Sequence, residues 1–310
     1  MAEYKPVFIG GFRSGTTLLV NLMGMHDQAA PWFETKMLCE ALRWLYVLKH
    51  PGEEQFERQY INPPEPAGFT AEAVRARMEF DLRSTLDRIS GAQHSGKAAH
   101  EQYSIGFDCL SYNLEQALVL LDQWEQTTAS VPDYETVAKA TGELINQLGA
   151  AHSAGQNKPL WINKTPEITR FADELRDCLG ECRVIYMVRN GLSVVESAKK
   201  LGWGDVGVLA HNWCALLEKT RSAMAQQKQD YREVRYEDLV TDPQAVLGEL
   251  LAFCGLENQA GEIVTQYARH FDENAFDRSK INRKSSLTDE ELAEFSSVAG
   301  ALQKELGYTK

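Results

Sequence analysis

The sequence of 310 residues contains no apolar run that is long enough to span a membrane. Its six cysteines are scattered, and Cys178 and Cys182 have no second pair with which to complete a zinc site. Residues 1–6 lack the layout of a signal peptide, so we expect a cytoplasmic protein. Positive charge is in deficit, because the chain has 32 Lys and Arg residues and 44 Asp and Glu residues, which gives a net charge of −12. This deficit argues against a nucleic-acid binder and against docking on an anionic membrane.

Short apolar segments that resemble buried strands alternate with patterns typical of helices. The candidate strands are 7–9, 160–162, 183–188 and 234–236. This alternation predicts an α/β fold, a P-loop-type doubly wound parallel sheet flanked by helices. We expect residues 1–310 to form a single domain, with a mainly helical region over about 40–155 and a surface loop over 51–68. The sequence carries no signal for an oligomeric state.

The segment 10–17, GGFRSGTT, joins the first candidate strand to the first helix. Its glycines permit a tight turn and a close approach to a ligand, and the helix that follows presents free N–H groups to an anion. Ser14, Thr16 and Thr17 add hydroxyl groups, and Arg13 adds a cation. The segment therefore predicts a cradle for a phosphate or a sulfate.

The same segment lacks the lysine of a Walker A loop, because Thr16 stands in its place. The strand ending at Val188 is followed by Arg189 and not by an acidic metal ligand. A kinase needs Mg²⁺ to neutralise the terminal phosphate, whereas a less charged sulfuryl group can be stabilised by cations and N–H dipoles alone. These features favour sulfuryl transfer, and no metal is expected. A magnesium-dependent P-loop nucleotide kinase and a non-catalytic nucleotide-binding protein of the same fold are the alternatives.

Two motifs carry a resemblance to the sulfotransferase superfamily. The run RSGTTLL over 13–19 resembles its 5′-phosphosulfate loop, and Arg189-Asn190-Gly191 followed by Ser197 resembles its 3′-phosphate motif. Asn190 stands where the family usually has Asp, and we expect it to shape the turn. Shorter similarities favour the branch that includes tyrosylprotein sulfotransferases; they lie at His26, 34–36, 163–166, 234–239 and 279–281.

The resemblance implies 3′-phosphoadenosine 5′-phosphosulfate as the donor. It also implies a hydroxyl-bearing acceptor, which is a small molecule, a carrier-bound intermediate or a peptide tyrosine. The region over 40–155, which carries none of the motifs, is expected to shape the acceptor pocket. The implied catalytic residues are Glu34 as general base, Arg13, Lys164 and Ser279. The implied binding residues for the donor are Arg13, Ser14, Gly15, Thr16, Thr17, Arg189, Ser197, Tyr236 and Lys280.

Some assignments have a competing interpretation. Glu34 precedes a helix pattern, where a glutamate is also a common capping residue. His100 is the rival for the role of base, while His26, His94 and His211 are expected to be structural or solvated. Tyr236 and Trp203 are the candidates for stacking on adenine, although either would also suit core packing.

Overall fold

The computed structural model describes residues 4–51, 69–94, 111, 113–281 and 284–308. Within this part of the chain, five strands form one sheet in the order β2-β3-β1-β4-β5, and every neighbouring pair is parallel. The predicted P-loop-type parallel sheet is therefore confirmed. The strands are β1 (Val7–Gly10), β2 (Ala29–Phe33), β3 (Leu160–Lys164), β4 (Arg183–Val188) and β5 (Tyr231–Arg235).

Helices flank the sheet on both faces. The described α-helices are α1 (Thr16–Gly24), α2 (Lys36–Lys49), α3 (Ala71–His94), α4 (Leu114–Ser130), α5 (Tyr134–Gln156), α6 (Ala172–Leu179), α7 (Gly191–Lys199), α8 (Val206–Met224), α9 (Tyr236–Thr241), α10 (Pro243–Phe253), α11 (Ala260–His270) and α12 (Asp289–Glu305). Short 3₁₀ turns occur at Ile168–Phe171, Lys228–Asp230 and Arg278–Lys280. The described part of the 40–155 region is mainly helical. Of the expected loop over 51–68, residues 52–68 lie outside the described residues.

The strand β1 lies at the centre of the sheet because its residues can be buried on both faces. All four of its residues are buried, as parallel strands under two helical layers require. Ile9 pairs with Lys164 on one side and with Ile185 on the other. This register brings the loops after β1, β3 and β4 to the same edge of the sheet, where ligands of such folds bind.

Three clusters of buried side chains form the core. One packs α2 to α5 against one face of the sheet, and a second packs α1, α10 and α11 against the other. The third joins α7, α8 and α12 around Trp213, which is 1% exposed and is the core residue that its apolar stripe predicts.

Two elements differ from the sequence-based expectation. The strand β2 was not predicted, and it contains Pro31. It lies at an edge of the sheet, where the missing N–H of proline is tolerated. Tyr236 was expected to end a strand, but β5 ends at Arg235 and Tyr236 begins α9. None of the described helices is long and apolar enough to cross a bilayer.

Candidate active site

Each of the five strands delivers one candidate residue at its carboxyl end. Arg13 follows β1, Glu34 follows β2, Lys164 ends β3, Arg189 follows β4 and Tyr236 follows β5. All five line one cavity of about 690 Å³. Since parallel strands end at one edge of the sheet, residues that are far apart in sequence meet in this cavity.

The loop before α1 is shaped by residues with positive φ. Gly11, Arg13 and Gly15 have φ of 123°, 51° and 87°, a region that favours glycine. A Cβ atom on Gly15 would lie 2.4 Å from Cδ2 of Tyr236, so no larger residue fits there. The loop therefore approaches the ring of Tyr236 closely and begins α1 at Thr16, which makes the helix N-terminus part of the cavity wall.

Two arginines meet beside this loop. Nε of Arg13 donates to Oγ of Ser197 at 3.1 Å, and Nη1 of Arg189 donates to the main-chain oxygen of Arg13 at 3.4 Å. Partial withdrawal from water, and then the positive charge of Arg189, lower the pKa of Arg13. Both guanidinium groups bond to neutral oxygens, so their positive charges are available to an anion.

The two candidate aromatic residues lie in different environments. Tyr236 is buried, and the guanidinium carbon of Arg189 lies 4.3 Å from its ring centroid. Trp203 is 53% exposed at the cavity wall, with the guanidinium carbon of Arg13 5.3 Å from its ring centroid. Core packing therefore describes Tyr236 but is wrong for Trp203. A turn through Gly202 and Gly204, both with positive φ, carries Trp203 out of the core after α7 ends.

Glu34 and Lys164 form an ion pair at the cavity wall. Nζ of Lys164 lies 2.9 Å from Oε1 of Glu34, and the main-chain N–H of Glu34 donates to the carbonyl of Lys164 at 2.7 Å. The Lys164 side chain is 1% exposed, and its Nζ lies 3.7 Å from the ring centroid of Phe33. Glu34 precedes Thr35, the N-cap of α2, and lies outside the first turn of that helix. Its carboxylate is thus directed to Lys164.

Glu34 also has a left-handed backbone, with φ of 47°. Only three non-glycine residues in the described ranges have positive φ, and they are Arg13, Glu34 and Asn157. Asn157 ends α5, where asparagine commonly adopts this conformation. The other two line the cavity, and strained backbone of this kind clusters at functional sites.

The turn after β4 is held by a hydrogen-bond network around Asn190. Its side chain accepts from the N–H of Leu192 at 3.0 Å and caps α7. Its own N–H donates to Glu237 at 3.0 Å, and Gln303 donates to its side-chain oxygen at 3.1 Å. The expectation that Asn190 shapes the turn is confirmed. The network fixes the start of the helix that carries Ser197.

Several predicted site residues are not brought to the cavity wall. Ser14 is 1% exposed, and its hydroxyl donates to the carbonyl of Phe12 at 3.0 Å, so it stabilises the loop internally. Ser279 is exposed, and its hydroxyl donates to Asp277 at 2.6 Å. Neither is among the residues that line the cavity. Lys280 ends a short 3₁₀ turn, and its side chain lies outside the described parts of the structure, as does His100.

His26 has the structural role that was expected for it. His26 is fully buried, its Nε2 lies 3.1 Å from the carbonyl of Glu257, and its Nδ1 accepts from the N–H of Gln28 at 3.1 Å. Both ring nitrogens are therefore engaged in holding the turn after α1.

The cavity also contains residues that the sequence analysis missed. These residues are Asn21, Lys36, Glu167, Tyr267 and Asp272. Asn21 carried a usable signal, because it is a polar residue within the apolar run of α1 and lies one helical turn after Thr17. Lys36 begins α2 and belongs to the similar segment 34–36, but no role was expected for it. The others come from the turn after β3, from α11 and from the loop after it, which no motif marked. No cluster of three or more His, Cys, Asp or Glu side chains suited to a metal occurs among the described residues.

A parallel sheet with a glycine-containing loop between its central strand and the following helix, and with a cavity at its carboxyl edge, is typical of a P-loop-like α/β protein. A model of the sulfotransferase family matches residues 6–260. Because this match covers most of the chain, the protein belongs to the sulfotransferase family, and sulfuryl transfer is the activity that this membership supports. The superfamily resemblance is thereby confirmed.

Solved structures agree with this fold. A sulfotransferase domain from the curacin biosynthetic pathway is 17% identical, with 99% of this chain and 98% of that chain covered and a TM-score of 0.52. The sulfotransferase STF9 from Mycobacterium avium is 12% identical, with 98% and 77% covered and a TM-score of 0.51. A search of curated proteins finds no sequence match.

Proposed function

We propose that this protein transfers a sulfuryl group from 3′-phosphoadenosine 5′-phosphosulfate to a hydroxyl of its acceptor. One observation carries the proposal: Arg13 and Arg189, from two adjacent strand ends, reach one cavity and bond there to neutral oxygens. Two neighbouring cations repel each other unless an anion lies between them. A donor with phosphate groups at both ends of its ribose matches this pair.

The residues present fit such a donor. The cavity of about 690 Å³ lies within the range of small-molecule sites, and Gly15 lets the loop approach without a side chain. We assign the 5′ end to Arg13, Gly15, Thr16 and Thr17, and the 3′-phosphate to Arg189 and Ser197. In the free protein, Ser197 holds Arg13 through its hydroxyl. Filling both positions therefore requires this hydrogen bond to be replaced by bonds to the ligand.

Tyr236 has a supporting role in this proposal. The guanidinium of Arg189 lies over its ring, and Gly15 lies against the ring edge. Burial raises the pKa of Tyr236, which keeps its hydroxyl neutral at ordinary pH. The ring therefore fixes the distance between the two anion-binding elements, and it orients Arg189 toward the cavity.

When bound, the donor supplies an activated sulfuryl group, and its departure leaves adenosine 3′,5′-bisphosphate. Glu34 is a carboxylate in its ion pair, the form that can take the proton from the acceptor hydroxyl. Lys164 holds that carboxylate in place and supplies positive charge at the cavity wall. Arg13 stabilises the negative charge that develops on the departing oxygen. The acceptor is a hydroxyl-bearing molecule that enters beside Glu34.

Thermal unfolding with a set of nucleotides tests the proposal. We expect adenosine 3′,5′-bisphosphate to raise the midpoint by several degrees at concentrations far above its Kd, and to do so equally with EDTA. ADP and ATP should give much smaller shifts, because they carry no 3′-phosphate for Arg189 and Ser197. The Arg189→Ala variant should keep its midpoint without ligand and lose most of the shift with the bisphosphate.

The kinase alternative makes the opposite prediction. A midpoint that rises with ATP only in the presence of Mg²⁺, and does not respond to the bisphosphate, would contradict the proposal. If the bisphosphate raised the midpoint of Arg189→Ala as much as that of the original chain, Arg189 would not be a binding residue. A non-catalytic nucleotide-binding protein would show the same midpoint shifts with the bisphosphate, but it would show no turnover of the donor.

A further inference from the structure

Three buried polar side chains lie next to the Glu34–Lys164 pair. Asn163 precedes Lys164 on β3 and is 0% exposed, and Thr35 and Thr165 are at most 3% exposed. The amide nitrogen of Asn163 donates to the hydroxyl of Thr35 at 2.5 Å, and the hydroxyl oxygens of Thr35 and Thr165 lie 3.4 Å apart. These side chains therefore connect the segment that follows β2 with the segment that follows β3.

Thr35 uses its hydroxyl in an unusual way for its position. It is the N-cap of α2, where a threonine side chain ordinarily accepts a hydrogen bond from the first turn of its own helix. All of α2 is described, and the Thr35 side chain makes no such bond to it. Its oxygen accepts from Asn163 instead. A bond to a neighbouring strand thus replaces the local capping bond, and departures from local rules are expected at functional sites.

The bond from Asn163 holds the residue that directly follows the left-handed position. Glu34 has φ of 47°, a conformation that costs free energy in a residue other than glycine and persists only where its surroundings enforce it. Its own N–H donates to the carbonyl of Lys164 at 2.7 Å. The next residue is Thr35, whose side chain is bonded to β3 through Asn163. The backbone is thus tied to β3 on both sides of the Glu34 side chain.

The same segment after β3 also contacts the loop between β1 and α1. Thr165 is followed by Pro166, which lines the cavity and whose carbonyl accepts from the N–H of Gly11 at 3.0 Å. Gly11 begins the loop that carries Arg13. The buried polar side chains therefore join a set of bonds that connects the three segments carrying Glu34, Lys164 and Arg13.

We infer that Asn163 and Thr35 are positioning residues for the transfer, which hold the carboxylate of Glu34 against Nζ of Lys164. The inference rests on the proposed function, because it concerns the reaction that we propose for this pair. Asn163 and Thr35 are not among the residues that line the cavity, so they act through Glu34 and not on the ligands. Without their hydrogen bond, the backbone of Glu34 can relax to negative φ, which redirects its Cβ atom and moves the carboxylate from Lys164.

Replacing Thr35 by valine tests the inference, because valine keeps the shape and lacks the hydroxyl. Turnover is measured as release of adenosine 3′,5′-bisphosphate from the proposed donor, with a panel of phenols, sugars and aliphatic alcohols. At saturating substrates it should fall about 10–10²-fold, the loss expected when a reacting group is misplaced by about 1 Å. The Kd of the bisphosphate, measured by isothermal titration, should change less than about twofold. Thr35→Ser is the matched control, because serine retains the hydroxyl, and its turnover should stay within about threefold of the original.

A combination with Glu34→Gln separates positioning from a general structural effect. Once the carboxylate is absent, its position has no further influence on the rate. Adding Thr35→Val to Glu34→Gln should therefore lower turnover by less than about threefold, although the same change in the original chain has a much larger effect. An equal loss in the two backgrounds would show structural damage and would overturn the inference.

The double variant Asn163→Leu/Thr35→Val guards against a folding defect. It replaces both partners of the hydrogen bond by apolar side chains of similar size, so neither partner is left unpaired. Its turnover should fall as far as that of Thr35→Val. Full turnover by either folded variant would overturn the inference and leave the proposed function intact. An original chain that neither binds the bisphosphate nor transfers a sulfuryl group would overturn the proposed function itself, and the inference with it.

Discussion

Replacing Glu34 by glutamine should lower the turnover number by about 10²–10⁴-fold, the range for loss of a general base. Glutamine keeps the shape of the side chain and an oxygen for Nζ of Lys164, but it cannot take the proton of the acceptor hydroxyl. Affinity for adenosine 3′,5′-bisphosphate should remain the same or rise, because a negative charge is removed from an anion-binding cavity. Turnover is measured as acceptor-dependent release of the bisphosphate from the labelled donor, with a panel of hydroxyl compounds.

Glu167→Gln is the matched control for this prediction. Glu167 lines the same cavity, so the substitution removes one negative charge there and leaves the Glu34–Lys164 pair in place. Its turnover should stay within about threefold of the original, well below the loss expected for a base. A comparable loss in both variants would indicate a general effect of cavity charge. Full turnover by Glu34→Gln would show that Glu34 is not the general base.

Replacing Arg13 by alanine should lower the turnover number by about 10²–10³-fold, as for removal of one donor to a developing negative charge. Affinity for the bisphosphate should fall as well, since we assign Arg13 to the 5′ end of the donor. The difference from Arg189→Ala is diagnostic. Loss of Arg189 should weaken binding and leave turnover at saturating donor nearly unchanged, because we assign that residue to the 3′-phosphate, which does not react.

Arg232→Ala serves as the control for charge removal. Arg232 is the second residue of β5, near the amino end of that strand, and it donates to the carbonyls of Lys228 and Tyr231. Arg232 is not among the residues that line the cavity, and it lies away from the carboxyl ends of the strands, so its loss should not change turnover. If Arg13→Ala reduced affinity alone and kept the original turnover at saturation, Arg13 would be a binding residue without a part in the transfer.

The sequence predicted the fold and the strand ends at which several candidate residues lie, because both follow from local patterns. Short apolar segments followed by polar residues indicate the strands and their carboxyl ends. The carboxyl ends of parallel strands lie at the same edge of the sheet. Arg13, Lys164 and Arg189 each follow or end such a segment, so their meeting in one cavity could be expected. The strand β2 escaped prediction because Pro31, which cannot donate to a strand ladder, interrupts its apolar pattern.

The geometry of the Glu34–Lys164 pair could not be predicted from sequence. Glu34 and Lys164 are 130 positions apart, and their ion pair depends on the pairing of β2 with β3. The left-handed backbone at Glu34 has no sequence signal, because glutamate rarely adopts it. The exposure of Trp203 could not be predicted either, because it depends on where α7 ends and on how Gly202 and Gly204 redirect the chain.

A crystal structure of the complex with adenosine 3′,5′-bisphosphate tests the central claim most directly. We predict the 3′-phosphate within hydrogen-bond distance of Arg189 and Ser197, and the 5′-phosphate at the N–H groups of Gly15 to Thr17. The side chain of Arg13 should have left Ser197 for the 5′ end. A nucleotide bound outside this cavity, or bound in it with the two phosphates exchanged, would contradict the account.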